Sequence, residues 1–432
     1  MSSKRLAFVA VAILVVAAGS AGSADAQLLS GSALPVQRTL STREAVKQEA
    51  ESARFRLGPV RLLPVLALRD VGYNDNVTGN PTNPVSDWTS TVAGGAKLLV
   101  PFGEKGALRG AVIPEYTWYL DSEDLRSFGG TYTGSLVGLF NRLTVEAGGG
   151  YQKRSEIVSS EALVARPRRT TSGLVQSEVD VLPKVALFGG YEVAETRYDD
   201  AALVIGGAPT ASNLDRDETL WRGGVRYKVR EWFSVGAQVV GGTQRYLTAP
   251  EARDNDQTGW AAMVRYDQER FYVNLSAGQR QSEARYAGRG YVPFDTTTYS
   301  FFASWFVAHT IELQGGGQRG PVPSLSISEN YYIETRNFAA VNVTLGQRFV
   351  LRGFGSLGTN AYAGAIGAPA GTPTRSDDIT EYGAGMTINL GKALSLTPLI
   401  SRYETDSNYG GVDRTINRLY LNLAVDFGLE TK

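Results

Sequence analysis

The sequence contains no cysteine, one histidine (His309) and only three methionines in 432 residues. Without thiols, neither disulfide staples nor zinc thiolates can hold the fold, so backbone pairing and packing must do it. Lys+Arg 43 against Asp+Glu 43 leaves no basic excess with which to grip a polyanion, which excludes nucleic acid as an expected partner. Beyond residue 26 no apolar run has the length of a membrane-spanning helix. If the chain crosses a membrane, it must do so as a closed barrel, the other form that satisfies every backbone group without water.

What is abundant points the same way. Gly 49, Tyr 21, Phe 16 and Trp 6 describe strands and turns rather than a helical enzyme. The first 26 residues read as an export signal: Lys4 and Arg5, a short apolar run from Leu6 to Ala18, then Ala24-Asp25-Ala26 as a small-x-small cleavage site. Residues 27–57 differ from the rest. Ser41 followed by Glu44 is a capping box, and Thr42 to Phe55 is dense in good helix formers, which predicts one short amphipathic helix on the periplasmic side. Two placements stay open for it: a solvated periplasmic lead-in, or a plug folded into a lumen.

From residue 58 onward the organising period is two residues. Leu419, Leu421, Leu423, Val425 and Phe427 alternate with Arg418, Tyr420, Asn422, Ala424 and Asp426, so one face is oily and the other wet. Trp221, Gly223, Val225 and Tyr227 alternate in the same way with Arg222, Gly224, Arg226 and Lys228. A soluble sandwich would alternate too, and the connections separate the two readings. Eight short turns, such as Pro183-Lys184 and Ala308-His309, interleave with nine longer polar loops near 74–86, 121–127, 156–169, 199–217, 247–257, 286–296, 321–330, 362–378 and 408–413. That pattern predicts an all-β, antiparallel up-and-down transmembrane barrel of about 18 strands, with short periplasmic turns and longer external loops. The tryptophans Trp88, Trp118, Trp221, Trp232, Trp260 and Trp305 fall near the expected strand ends, as in an interfacial aromatic belt. The glycine runs 148–150 and 315–317 lie within strands, where they let a tilted wall bend.

The stretch Leu66 to Val77, in which a strand ends in Gly72-Tyr73-Asn74-Asp75-Asn76, resembles the first strand and loop of an outer-membrane β-barrel porin family, some of whose members accompany exopolysaccharide export systems. The last strand resembles the signal read by the barrel-assembly machinery, with Phe427 as its aromatic, although five residues follow. The resemblance implies a channel for small hydrophilic solutes or for a polysaccharide chain. A structural or adhesive barrel with a closed lumen is the alternative, and an outer-membrane hydrolase a third.

No catalytic constellation, cofactor motif or metal site is expected. His309 falls in a short periplasmic turn, on the wrong side for a rim hydrolase. Gly353 to Gly358 matches a dinucleotide-binding string but sits inside an alternating strand, without the helix that chemistry needs. The acidic groups Asp121, Glu123 and Asp124, Asp199-Asp200, Asp254 and Asp256, and Asp377-Asp378 lack the spacing of a calcium loop. Arg166, Arg168 and Arg169 are candidates for lipopolysaccharide phosphates. If the oily set faces lipid, the wet set supplies the pore lining: Arg109, Glu115, Glu146, Glu178, Arg222, Arg226, Lys228, Arg265, Asp267 and Glu312. The interspersed signs predict weak ion selectivity.

Overall fold

A computed structural model describes residues 41–53, 55–161, 165–199, 211–288, 290–326, 329–364, 374–391 and 394–426. The expected export signal and Phe427 lie outside the described residues.

One helix precedes the barrel: α1 (Thr42–Ser52), opened by Ser41, whose side chain accepts from the Glu44 N–H while the Glu44 carboxylate accepts from the Ser41 N–H. A three-residue segment, Phe55–Leu57, pairs back onto the first barrel strand.

Eighteen strands follow, each antiparallel to the next. They are β1 (Val60–Asn74), β2 (Asp87–Phe102), β3 (Gly106–Tyr119), β4 (Ser127–Leu139), β5 (Leu143–Ile157) and β6 (Ala165–Leu182), then β7 (Val185–Tyr198), β8 (Arg216–Arg230), β9 (Phe233–Tyr246), β10 (Asn255–Asp267), β11 (Phe271–Ala284) and β12 (Asp295–Ala308). The ring continues through β13 (Ile311–Pro323), β14 (Tyr331–Leu345), β15 (Phe349–Tyr362), β16 (Ser376–Asn389), β17 (Leu394–Ser407) and β18 (Arg414–Asp426). β18 pairs with β1, so the sheet has no free edge.

The closing seam is built by the motif at the end of β1. Asp75 accepts from the Asn417 N–H at 2.8 Å and from its side-chain amide at 2.6 Å. Asn76 folds the loop beyond, receiving the Asn80 N–H and donating to the Asn80 carbonyl. A bulge interrupts the pairing around Asp70, which adopts a left-handed φ of 52° and donates its N–H to the Asn422 side chain at 2.7 Å. Beside it, a Cβ on Gly72 would collide with the Leu419 carbonyl, so only glycine lets the seam close there.

Strands on the long-loop side run further than their apolar faces. Below Trp260 the outward residues of β10 are Ala262, Val264 and Tyr266; above it they are Thr258 and Asp256. Trp221 divides β8 in the same way. The tryptophans therefore mark the membrane interface while the strands continue past it, and three sequence expectations shift accordingly. Trp221 and Trp260 sit within strands rather than near their ends, Arg166, Arg168 and Arg169 stand on β6 rather than in a loop, and Asp256 and Asp377-Asp378 stand on β10 and β16.

Candidate functional site

All ten predicted lining residues lie on strand faces opposite the exposed apolar set, and the protein joins most of them into chains of opposite charge. Near the short-turn end, Arg109 on β3 donates to Glu146 on β5 at 3.2 Å, Gln176 on β6 donates to the same carboxylate at 2.9 Å, and Arg222 on β8 donates to Gln176 at 3.0 Å. Arg226 pairs with Glu178, Lys228 with Asp180 at 3.5 Å, and Arg265 with Asp267 at 2.7 Å. Glu312 stands apart and accepts from Ser304, Gln314 and Asn342. Glu115 stands higher, between Arg69 at 2.7 Å and Arg154 at 3.3 Å. Alternation brings these groups inward without sorting them by sign, so they neutralise one another along the wall.

The helix takes the second of its two open placements. Val46 packs into a buried cluster with Leu99, Ala107 and Val137, inward-facing residues of β2, β3 and β4. Glu49 receives a two-pronged hydrogen bond from Arg109, at 2.5 and 2.9 Å, and Arg43 donates to the Phe140 carbonyl at 2.6 Å. α1 thus lies within the short-turn mouth, against one side of the wall.

At the long-loop end the lumen is crossed by the segment after β5, residues 158–161. β5 and β14 stand nine strands apart in a ring of eighteen, on opposite walls. The Ser160 hydroxyl nevertheless meets the Tyr332 hydroxyl of β14 at 3.0 Å and accepts from Asn360 of β15 at 2.9 Å. Glu161 accepts from the Leu325 N–H at 2.8 Å, from the Ser324 hydroxyl and from Arg375, and its own carbonyl accepts from Arg414. Arg253, from the β9–β10 loop, completes the closure by donating to the Asn213 and Ser324 carbonyls while lying 4.4 Å over the Tyr246 ring. Val158, Tyr198, Ala211, Leu214 and Leu325 form the apolar centre of this cap.

Burial shapes the charge of the cap. It pushes the Glu161 carboxyl above the ordinary carboxylate range, opposed by Arg375, the Leu325 N–H and the Ser324 hydroxyl. Glu329 is raised for the same reason, reinforced by Glu161 nearby, and desolvation lowers Arg253.

The sequence reading missed the strap at 158–161, because nothing in a polar loop says whether it stands in water or folds inward. It also missed three inward phenylalanines, Phe302, Phe338 and Phe354, although counting parity along β12, β14 and β15 places them on the wet face. His309 occupies the β12–β13 turn and Gly353 to Gly358 lie within β15, both as expected. Of the three arginines on β6, Arg166 is buried and only Arg169 is exposed.

Residues 56–427 match the model of the family described as "Putative beta-barrel porin 2". The chain belongs to that family. Among solved structures, the porin's fold is similar to that of OccK2 (OpdF) of Pseudomonas aeruginosa, with a TM-score of 0.51 at 14% identity over 85% of this chain and 98% of that one. It is likewise similar to OpdK of the same organism, crystallised with vanillate, at 0.50 and 11% over 85% and 99%. A BenF-like porin from Pseudomonas fluorescens gives 0.50 and 13% over 86% and 100%. At such identities the likeness is one of fold. No curated protein sequence matches the chain. Family and architecture make this protein an outer-membrane porin, through which hydrophilic solutes diffuse passively. Porins as a class are channels and not enzymes.

Proposed function

We propose that the porin conducts small hydrophilic solutes through its lumen, lined by Arg109, Glu115, Glu146, Glu178, Arg222, Arg226, Lys228, Arg265, Asp267 and Glu312. The observation that carries this reading is the solvation of the ion pairs at the short-turn end of the lumen. The Lys228–Asp180 pair is 42% and 41% exposed, whereas Asp377 beneath the strap is 0% exposed. Water therefore reaches the ion pairs of β6–β8 from the short-turn mouth, while the strap and its partners restrict the long-loop end.

A polysaccharide chain would require both α1 and the strap to leave, so small solutes fit this resting geometry better. The family match favours conduction over a purely adhesive barrel. Planar-bilayer recording of the refolded mature chain tests it. Discrete conductance steps with little preference between cation and anion are expected, and a silent bilayer, before and after removal of residues 41–53, defeats the channel reading.

Two partners complete the proposal. The barrel-assembly machinery would read β18 with Phe427, and Arg169, exposed and 3.9 Å from Asp199, would meet lipopolysaccharide phosphate. No chemical step falls to His309 or to the carboxylates in a passive channel. Incubating the refolded protein with phospholipid and peptide substrates checks this, with no turnover above background expected.

A further inference from the structure

The wall from β12 to β16 carries an arrangement that passive diffusion does not require. Phe302 and Phe338 face the lumen with ring centroids 6.5 Å apart and planes at 24°, an offset stack along the wall. Phe354 extends the row: Ala340 is its cross-strand partner and Phe338 its diagonal neighbour, a spacing of about 7–8 Å. Two glycines make the rings lie flat. A Cβ at Gly316 would overlap the Phe338 ring, and one at Gly383 would overlap the Phe354 ring. Phenylalanine offers no polar tip, so three such rings leave an apolar surface inside an otherwise hydrated channel.

Beside the rings stand polar groups that the protein leaves without partners. Arg352, two residues from Phe354 on the same face of β15, has no acceptor for its Nε or Nη2 hydrogens. The Ser356 hydroxyl, opposite Phe338, is unpaired. The Gln314 amide donates to Glu312 at 3.0 Å, which fixes its orientation and leaves Oε1 as an acceptor without a donor. Hydrogen-bonding capacity that the wall leaves unused is open to a solute once these side chains turn to meet it.

We infer that this strip is a binding site for a neutral cyclic polyol, a sugar ring, which stacks its apolar C–H face on Phe338 and Phe354 and shares its hydroxyls between Arg352, Ser356 and Gln314. The unpaired set decides the class. Gln314 needs a donor and Arg352 needs an acceptor, and a hydroxyl is both. A carboxylate accepts only, and Glu312, which interacts with Arg352 across the strip, already balances the arginine's charge. A linear polyol has the hydroxyls without a flat apolar face. The inference rests on the channel reading and deepens it by naming a solute.

Two measurements on the detergent-solubilised and bilayer-inserted full chain separate the two claims. Equilibrium titration calorimetry with glucose and maltose should show saturable binding, with sorbitol and benzoate far weaker. Phe338→Ala and Phe354→Ala should each weaken maltose about three- to tenfold, the worth of one ring contact, and Gln314→Leu, which removes the acceptor, should weaken it as well. Retained single-channel conductance shows that each variant is folded. Conductance without saturable sugar binding, or binding unchanged in both phenylalanine variants, or benzoate outcompeting maltose, overturns the strip and leaves the channel standing. Sugar binding without conductance keeps the strip and overturns the channel.

Discussion

The two ends of the lumen are lined by the same kind of residue yet behave as opposite materials. At the long-loop end, Tyr332, Asn360 and Asp377 are fully buried, and Arg336 and Glu334 lie 3.4 Å apart at 1% and 4% exposure. At the short-turn end, Arg226 with Glu178 and Lys228 with Asp180 keep a quarter to two-fifths of their surface. Alternation alone would have made both ends wet. Part of the difference is a few residues of loop: Ser160 supplies a partner to Tyr332 and Asn360, and Glu161 one to Arg375, which lets these groups give up water, and where no such loop enters, the ion pairs stay solvated and weak. Polar strand faces therefore do not by themselves make an aqueous path.

The contrast can be broken most directly by deleting residues 158–164. The outer sector then loses the partners of Tyr332, Asn360, Ser324 and Arg375, and single-channel conductance should rise severalfold. Unchanged conductance would show that the strap does not restrict the path. A smaller rise is expected from Glu49→Ala, which removes the carboxylate that Arg109 grips and weakens docking of α1 by about 1–3 kcal/mol. More frequent open-level fluctuations at the short-turn mouth, and faster proteolysis within residues 41–53, are the readouts.

Acidity should sharpen the contrast. Because burial raises Glu161, its docked form holds a proton more tightly than an exposed form would. Lowering the pH from neutral towards the ordinary carboxylate value near 4.3 therefore favours the docked strap. Open probability should fall over that window, and Glu161→Gln, which mimics the protonated group, should flatten the response. A wild-type response of the opposite sign excludes Glu161 as its source. The smallest effect belongs to the solvated end. Changing Arg222, Arg226 and Lys228 together to Gln leaves Glu178 and Asp180 in place and should tilt selectivity modestly towards cations, read as a shift in reversal potential under a salt gradient.

The barrel was legible because its signals are local. Period-two alternation, as in Leu419 to Asp426, and the contrast of short and long connections require no knowledge of distant contacts, and they yielded strand number, handedness of the two faces and the inward position of the charged residues. The capping box of α1 was legible for the same reason, since Ser41 and Glu44 are three residues apart. Its docking was not, because the grip of Arg109 on Glu49 joins groups 60 positions apart. The strap is harder still: Ser160 and Tyr332 are separated by 172 residues and meet only after the ring has closed. Strand ends were misplaced on the outer side, where pairing continues beyond the oily band and loop-like composition hides it at Arg166 to Arg169.

The seam between the first and last strands gives the ring a check on its own construction. Asp75 reaches Asn417, and the Asp70 backbone reaches Asn422, only when β18 arrives in one alignment. A slip by a single residue would lose these contacts and turn Leu419 and Leu421 towards water. The clasp lies in the earliest strand but can be fastened only by the latest, so a barrel that is short of a hairpin, or shifted by one position, stays unlatched.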